Sequence, residues 1–122
     1  MAHTPDMALL ADRVAAVRFH MAQAAAQAGR RPDEIKLCAA CKSRSSEEVR
    51  LSAGLEIDLF GENRMQELAA HMADGAYLGK PCHFIGHLQT NKVRRVVGQA
   101  AMIESVSSIR LLSAIAAEAR KQ

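Results

Sequence analysis

The strongest constraint on the fold is a pattern that occurs four times: a short apolar run, a polar or glycine-containing end, and then a helix signal. Short apolar runs that alternate with helical segments are typical of parallel strands joined by helical crossovers. The predicted strands occupy residues 35–41, 57–60, 82–86 and 101–106. The sequence therefore predicts an α/β fold with four βα units over residues 35–122.

Each predicted strand is followed by residues that can begin a helix. Ser45 and Glu48 have the spacing of a capping box, and Gly54 can end the helix that follows. The later helices are predicted to begin at Asn63, at Thr90 and at Ser107 or Ser108, and the first two to end at Asp74-Gly75 and Gly98. Their predicted inward positions are Met65, Leu68, Ala69 and Met72, then Val93, Val96 and Val97, then Ile109, Leu112, Ile115 and Ala119.

An additional helix is predicted before the first strand, over residues 7–29. Its apolar residues recur at steps of three and four, which is the spacing of one helix face; they are Met7, Leu10, Val14, Val17 and Met21. Thr4 can cap this helix, Pro5 suits its first turn and Gly29 can end it.

Length and composition limit the class of protein. A chain of 122 residues fits one domain, so residues 1–122 are interpreted as a single unit. The net charge of +3 is too small to indicate a nucleic-acid partner, and the basic residues Lys92, Arg94 and Arg95 are interpreted as a solvated helix face. No apolar stretch reaches the roughly 20 residues that cross a membrane, and a secretory signal pattern is missing. We therefore expect a cytoplasmic protein without a membrane partner.

Lys42 ends the first apolar run, at the carboxyl edge of the predicted sheet. In folds of parallel βα units this edge carries the active site, so Lys42, Asn63 and His87 are expected to converge there. Apolar neighbours would disfavour the ammonium form of Lys42, which makes an amine able to form a Schiff base. The alternative, a solvated lysine at a strand end, remains open.

The residues near Lys42 also have structural interpretations. Asn63 is either a polar contact in the site or a helix N-cap, and His87 either contacts a ligand or serves a structural hydrogen bond. Glu62 is expected to point outward or toward a neighbouring helix, and His83 to be packed within its strand. Glycines 61 and 86 are expected to allow close approach of the backbone.

A Cys-x-x-Cys spacing, Cys38 and Cys41, raises redox or metal chemistry as another hypothesis. Redox pairs of this spacing normally begin a helix, whereas these two residues lie within a predicted strand. Side chains three positions apart in a strand point to opposite faces, so the pattern disfavours this chemistry.

Three blocks of the sequence resemble the pyridoxal 5′-phosphate homeostasis protein family. They are residues 37–42 (LCAACK), 60–67 (FGENRMQE) and 83–92 (HFIGHLQTNK). The resemblance implies a TIM-type (β/α) barrel, similar to the N-terminal domain of alanine racemase. It also implies that pyridoxal 5′-phosphate is carried as a Schiff base on Lys42.

The resemblance implies a role in holding and delivering the cofactor inside the cell, without robust catalysis. Pyridoxal phosphate-dependent apoenzymes are then possible partners. The alternative is a pyridoxal phosphate-dependent enzyme similar to an amino-acid racemase. A racemase needs two acid–base groups on either side of the substrate carbon, and Tyr77, which is the only tyrosine, precedes a strand on the expected wrong face.

The chain departs from the family in two residues and in length. Cys41 stands where the family commonly has serine, and Ser107 where it commonly has aspartate. An eight-unit barrel needs about 250 residues, so four units correspond to the N-terminal half of such a barrel. The resemblance implies that the phosphate contacts and the partner of the pyridine nitrogen lie in the other half. We therefore expect a half-barrel that a second chain or a C-terminal half completes.

Overall fold

The computed structural model describes residues 6–122 and contains a four-stranded sheet in the order β1-β2-β3-β4, with every pairing parallel. The strands are β1 (Cys38–Ala40), β2 (Leu59–Glu62), β3 (Cys82–Phe84) and β4 (Met102–Ile103). The α-helices are α1 (Met7–Gln27), α2 (Ser46–Ser52), α3 (Met65–Ala73) and α4 (Ile109–Lys121), and two 3₁₀ helices span Pro32–Glu34 and Thr90–Arg95. The predicted α/β fold with a parallel sheet is confirmed.

The strands are short, but their hydrogen bonds extend past their ends. The Cys41 N–H donates to the Gly61 carbonyl, and the Ile85 N–H donates to the Glu62 carbonyl. At β4 the bonds run from Ala101 to Glu104, so the sheet ends before the predicted Val106. β2 begins and ends two residues later than predicted, at Leu59 and Glu62, because the Glu62 backbone still pairs with β3.

Local capping signals set several helix ends as predicted. The Ser45 side chain accepts from the Glu48 N–H while Glu48 accepts from the Ser45 N–H, which completes the capping box of α2. Ser108, and not Ser107, caps α4 by accepting from the Leu111 N–H. Gly29, at a φ of +72°, follows the end of α1. Asp6 caps α1, whereas the predictions for Thr4 and Pro5 lie outside the described residues.

Two predicted caps are wrong by one residue. The chain stays extended through Arg64 (φ −126°, ψ 133°), so α3 begins at Met65 and Asn63 remains outside it. Gln89 is the extended residue before the next helix, so Thr90 begins that helix and does not cap it. This segment is a 3₁₀ helix, with i to i+3 bonds such as that from the Val96 N–H to the Val93 carbonyl.

The predicted inward positions Val93, Val96 and Val97 are confirmed, whereas the buried faces of α3 and α4 differ in part from those predicted. In α4, Leu111 is buried while Ile109 and Leu112 are exposed. In α3, Leu68 and His71 are buried whereas Ala69 and Met72 are exposed. The faces rotate because α4 packs against the 3₁₀ helix Thr90–Arg95 and because hydrogen bonds draw His71 inward. In α1, likewise, Val17 is exposed.

The core lies between the sheet and its helices. Its largest fully buried side chains are Phe60, Phe84, Leu68, Glu62, Val96 and Cys82. The strand register places Phe60 beside Cys82 and Glu62 beside Phe84, so these four residues face the helices. Gly61 and His83, which alternate with them, face the opposite side. Within residues 6–122, no helix combines the length and the apolar character needed to cross a membrane.

Candidate functional site

Lys42 lies in a tight turn directly after β1. The Arg44 N–H donates to the Cys41 carbonyl (3.0 Å), which closes a four-residue turn with Lys42 and Ser43 at its centre. Ser43 has a φ of +63°, a left-handed conformation that residues other than glycine adopt rarely and that occurs often at functional sites. The turn therefore fixes where the Lys42 backbone leaves the sheet.

The Lys42 side chain is exposed, so the predicted burial by apolar neighbours is wrong. The reason is strand alternation: Cys41 takes the position that faces the core and is only 3% exposed. Lys42 projects from the carboxyl edge of the sheet instead. Its predicted position at that edge is confirmed, whereas its reactivity stays a prediction.

Asn63 and His87 line one polar cleft of about 270 Å³, together with Gln89 and Lys92. Both predicted site residues are exposed, and the cleft contains the amide and the imidazole at the same edge of the sheet. Lys42 does not line this cleft. Continuing the register from Ala40 and Gly61, however, sets Lys42 level with Asn63 and on the same side of the sheet.

The basic cluster is only partly a solvated face. Arg94 and Arg95 are exposed as predicted, whereas Lys92 is half-buried and lines the polar cleft. The interpretation of Lys92 as purely solvated is therefore wrong. A separate and more apolar cleft of about 570 Å³ lies between α1 and α2, and Lys42, Asn63 and His87 do not line it.

Gly86 allows the backbone after β3 to touch the backbone after β2. A Cβ atom at Gly86 would lie 2.7 Å from the Cα of Asn63 and would overlap its carbonyl oxygen. At Gly61 a Cβ atom would meet Ile85 Cδ1 at 2.7 Å and Cys38 Sγ at 2.9 Å. The predicted close approach of a second backbone is confirmed at Gly86, where it sets the position of Asn63, whereas the close neighbours of Gly61 are side chains.

A buried polar cluster, formed by Glu62, His71 and Tyr77, lies next to the Lys42 turn. Glu62 Oε2 accepts a hydrogen bond from the Tyr77 hydroxyl (2.6 Å) and lies 2.5 Å from His71 Nδ1. Glu62 is fully buried and its Oε1 atom has no partner among the described residues. Burial raises the pKa of the Tyr77 phenol, with further contributions from Cys82 and Glu62, so the hydroxyl stays a donor. Glu62 thus points toward the neighbouring helix, one of its two predicted directions.

The sequence did not predict the contacts that His71 makes with the Lys42 turn. His71 Nε2 donates to the Arg44 carbonyl (2.9 Å), and the Ser43 N–H donates to Glu67 Oε2 (3.1 Å). Both side chains belong to α3, and both contacts are with residues that follow Lys42. The available signal was the position of His71 three residues after Leu68, on the buried stripe of the helix.

The three cysteine side chains are free thiols in protected surroundings. Burial raises the pKa of Cys41 to about 12 and that of Cys82 to about 11, with further contributions from Glu62. Cys38 lies beside the position of Gly61 on one face of the sheet, whereas Cys41 belongs to the core on the other. A thiolate pair at Cys38 and Cys41 is therefore not supported.

His83 is packed within β3, as predicted. Its side chain is 15% exposed and its Nδ1 atom lies 3.7 Å from Glu104 Oε2. Because the register places His83 beside Gly61, it lies on the same side of the sheet as Cys38. His83 therefore packs on that side of the sheet and does not line the polar cleft.

Together these features define a parallel α/β protein with an exposed lysine on a fixed turn at the carboxyl edge of its sheet. No family model matches the chain. In sequence the chain is nevertheless similar to the pyridoxal phosphate homeostasis proteins, as the three sequence blocks indicated. It is 32% identical to the Pseudomonas aeruginosa protein over 105 residues and 33% identical to the Aquifex aeolicus protein over 110 residues.

These alignments cover 86% and 90% of this chain but only 46% and 48% of the two relatives. The chain thus spans about half the length of the relatives it matches. The predicted resemblance to the pyridoxal phosphate homeostasis family is confirmed over that extent.

Solved structures show the same likeness. The crystal structure of an unknown protein from Bifidobacterium adolescentis matches 99% of this chain and 54% of its own, with a TM-score of 0.85 and 31% identity. PipY of Synechococcus elongatus, solved with pyridoxal phosphate bound, matches 83% of this chain and 48% of its own, with a TM-score of 0.69 and 29% identity. The fold is therefore shared with a protein that binds this cofactor.

Proposed function

We propose that this chain binds pyridoxal 5′-phosphate as a Schiff base on Lys42 and takes part in intracellular cofactor homeostasis. The observation that carries the proposal is the match to PipY, whose structure contains the bound cofactor. The names of the sequence relatives support the role in homeostasis.

The residues at the sheet edge fit the chemistry of this cofactor. Bound pyridoxal phosphate supplies an aldehyde carbon that is attacked by a primary amine, and Lys42 offers an exposed amine on a fixed turn. Asn63 and His87, at the same edge, supply an amide and an imidazole for polar contacts with the ring. Lys92, in the same cleft, adds a positive charge.

The position of Tyr77 supports binding without robust catalysis. A racemase-like enzyme needs a second acid–base group on the far side of the substrate carbon. The Tyr77 hydroxyl is instead buried against Glu62 on the helix side of the sheet. We therefore favour a carrier over the alternative of a racemase-like enzyme.

The proposal also covers the complete barrel and the partners of the chain. Residues 1–122 would form one domain, half of a TIM-type barrel, with the other half supplied by further chain or by a second chain. The half-length match to the relatives supports this view. Cytoplasmic apoenzymes that use pyridoxal phosphate would be the partners that receive the cofactor.

Reductive trapping tests the proposal. The purified chain is incubated with pyridoxal 5′-phosphate and borohydride, and the modified peptide is identified by mass spectrometry. We expect one modification at Lys42, and its loss in Lys42→Ala. Lys36→Ala is the matched control, since Lys36 is also exposed and lies six positions earlier, at the opposite edge of the sheet.

Equal labelling of the wild type and Lys42→Ala would overturn the proposal. Racemisation of alanine by the loaded protein, lost in Lys42→Ala, would favour the enzyme instead.

A further inference from the structure

Two side chains of α3 hold the backbone on the carboxyl side of Lys42. Glu67 Oε2 accepts from the Ser43 N–H at 3.1 Å, and His71 Nε2 donates to the Arg44 carbonyl at 2.9 Å. Because Glu67 and His71 lie four positions apart, they project from the same face of the helix, one turn apart. The helix thus contacts two successive residues of the turn with an acceptor and a donor.

The buried cluster fixes the orientation of the His71 ring. A carbonyl oxygen only accepts hydrogen bonds, so Nε2 carries the proton in its contact with Arg44. The other nitrogen, Nδ1, lies 2.5 Å from Glu62 Oε2, so one proton lies between these two atoms, and the Tyr77 hydroxyl donates to the same oxygen. With both nitrogens occupied and the side chain 4% exposed, the ring has one arrangement that satisfies its partners.

The turn needs such support because its geometry is unfavourable. A left-handed φ at Ser43 costs free energy for any residue with a Cβ atom and persists only where neighbouring contacts hold it. On the amino side, the Cys41 N–H bond to the Gly61 carbonyl holds the turn to the sheet. On the carboxyl side, Glu67 and His71 supply the contacts.

We propose that Glu67 and His71 are positioning residues for Lys42, with Glu62 acting through His71. By holding Ser43 and Arg44, they set the direction in which the Lys42 amine leaves the sheet. This inference rests on the proposed function of Lys42 as the cofactor-bearing residue. It also assigns the same role, holding the turn after Lys42, to the two acidic residues of the FGENRMQE block, Glu62 and Glu67.

Paired substitutions separate positioning from general stability. Glu67→Gln keeps an acceptor for the Ser43 N–H, whereas Glu67→Ala removes it. Glutamine at position 71 places its amide nitrogen near that of Nε2, whereas the amide of asparagine mimics Nδ1 and is too short to reach Arg44. His71→Gln therefore keeps the contact with the turn that His71→Asn loses.

Two measurements are made on every variant. The first is the exchange rate of the Ser43 amide hydrogen in the cofactor-free chain, followed by NMR. The second is the initial rate at which pyridoxal 5′-phosphate is trapped on Lys42. In Glu67→Ala we expect Ser43 exchange to rise about fivefold, the factor for one net hydrogen bond, and trapping to fall. Trapping should also fall in His71→Asn, while Glu67→Gln and His71→Gln stay close to the wild type.

Leu68→Val is the control for a merely structural effect, because it loosens the packing of α3 and removes neither of the hydrogen bonds to the turn. Equal losses of trapping in Leu68→Val and Glu67→Ala at matched free energies of unfolding would overturn the inference. So would unchanged Ser43 exchange in Glu67→Ala. If the wild type is not trapped at Lys42, the proposed function fails, while Ser43 exchange still decides whether Glu67 holds the turn.

Discussion

At the scale of single residues, Glu62 shows how a carboxyl side chain can occupy a core. Burying a carboxyl group is costly unless hydrogen bonds replace its lost water. Tyr77 and His71 supply those bonds at one oxygen of Glu62. The sequence neighbours of Glu62 do not reveal these partners, because Tyr77 is 15 positions away and His71 is nine.

Gly86 gives the sharpest prediction at this scale. Any side chain at position 86 meets the Asn63 backbone, which cannot move aside as a flexible side chain can. We expect Gly86→Ala to lower the free energy of unfolding by roughly 1–3 kcal/mol, the usual range for overpacking. Urea denaturation followed by circular dichroism measures the change.

Gly54→Ala is the control for this substitution. A Cβ atom at position 54 would lie 3.6 Å from the Leu51 carbonyl oxygen, an ordinary contact. Its free energy of unfolding should change by less than that of Gly86→Ala. If the two alanine variants are equally stable, the contact between Gly86 and Asn63 does not constrain the site.

At the scale of elements, helix ends follow local chemistry whereas helix faces do not. The capping box of α2 involves residues three apart, and its prediction is confirmed. The buried face of α3 depends on His71, which is drawn toward Glu62 and the Arg44 carbonyl. Apolar spacing alone therefore predicts an inward position for Met72, which is exposed, and does not predict one for His71, which is buried.

The start of α4 offers a matched test, because two adjacent serines were equal candidates for its cap. Ser108 accepts from the Leu111 N–H, whereas Ser107 is exposed and outside the helix. Replacing the cap by alanine should cost about 1 kcal/mol of unfolding free energy. We expect that cost in Ser108→Ala and a change within about 0.5 kcal/mol in Ser107→Ala. Equal effects in thermal or urea denaturation would contradict the assignment of the cap.

At the scale of the whole molecule, the sheet has two open edges. Among residues 6–122, β1 pairs only with β2 and β4 pairs only with β3. Open strand edges present unpaired N–H and C=O groups that can pair with another chain. Apolar side chains are also exposed, among them Met102 (53%) and Ile109 (83%). The 122-residue chain is therefore expected to associate as its concentration rises.

A proline at the β1 edge tests this expectation. Leu37 and Cys41 bond to β2, so the alternation of a parallel ladder directs the Ala40 N–H away from the sheet. Ala40→Pro should reduce association without breaking a bond to β2. Sedimentation velocity over a range of concentrations measures the change, and Ala39→Pro, which removes a ladder donor, is the destabilising control. A wild type that remains monomeric at all concentrations would contradict the expectation.

The sequence by itself determined the parallel βα pattern, the capping box and the position of Lys42 at a strand end. Each of these depends on residues within a few positions of one another, where periodicity and hydrogen-bonding propensity act directly. The resemblance of three sequence blocks to the homeostasis family was likewise readable from sequence, and the relatives confirm it.

Only the tertiary structure decided what surrounds Lys42. Its side chain is exposed because Cys41 occupies the core, and its turn is held by Glu67 and His71. The two contacts from α3 join residues 24 and 27 positions apart in sequence. They exist because the sheet brings α3 beside the β1–α2 turn, and a local pattern cannot encode a contact between elements that only folding places together.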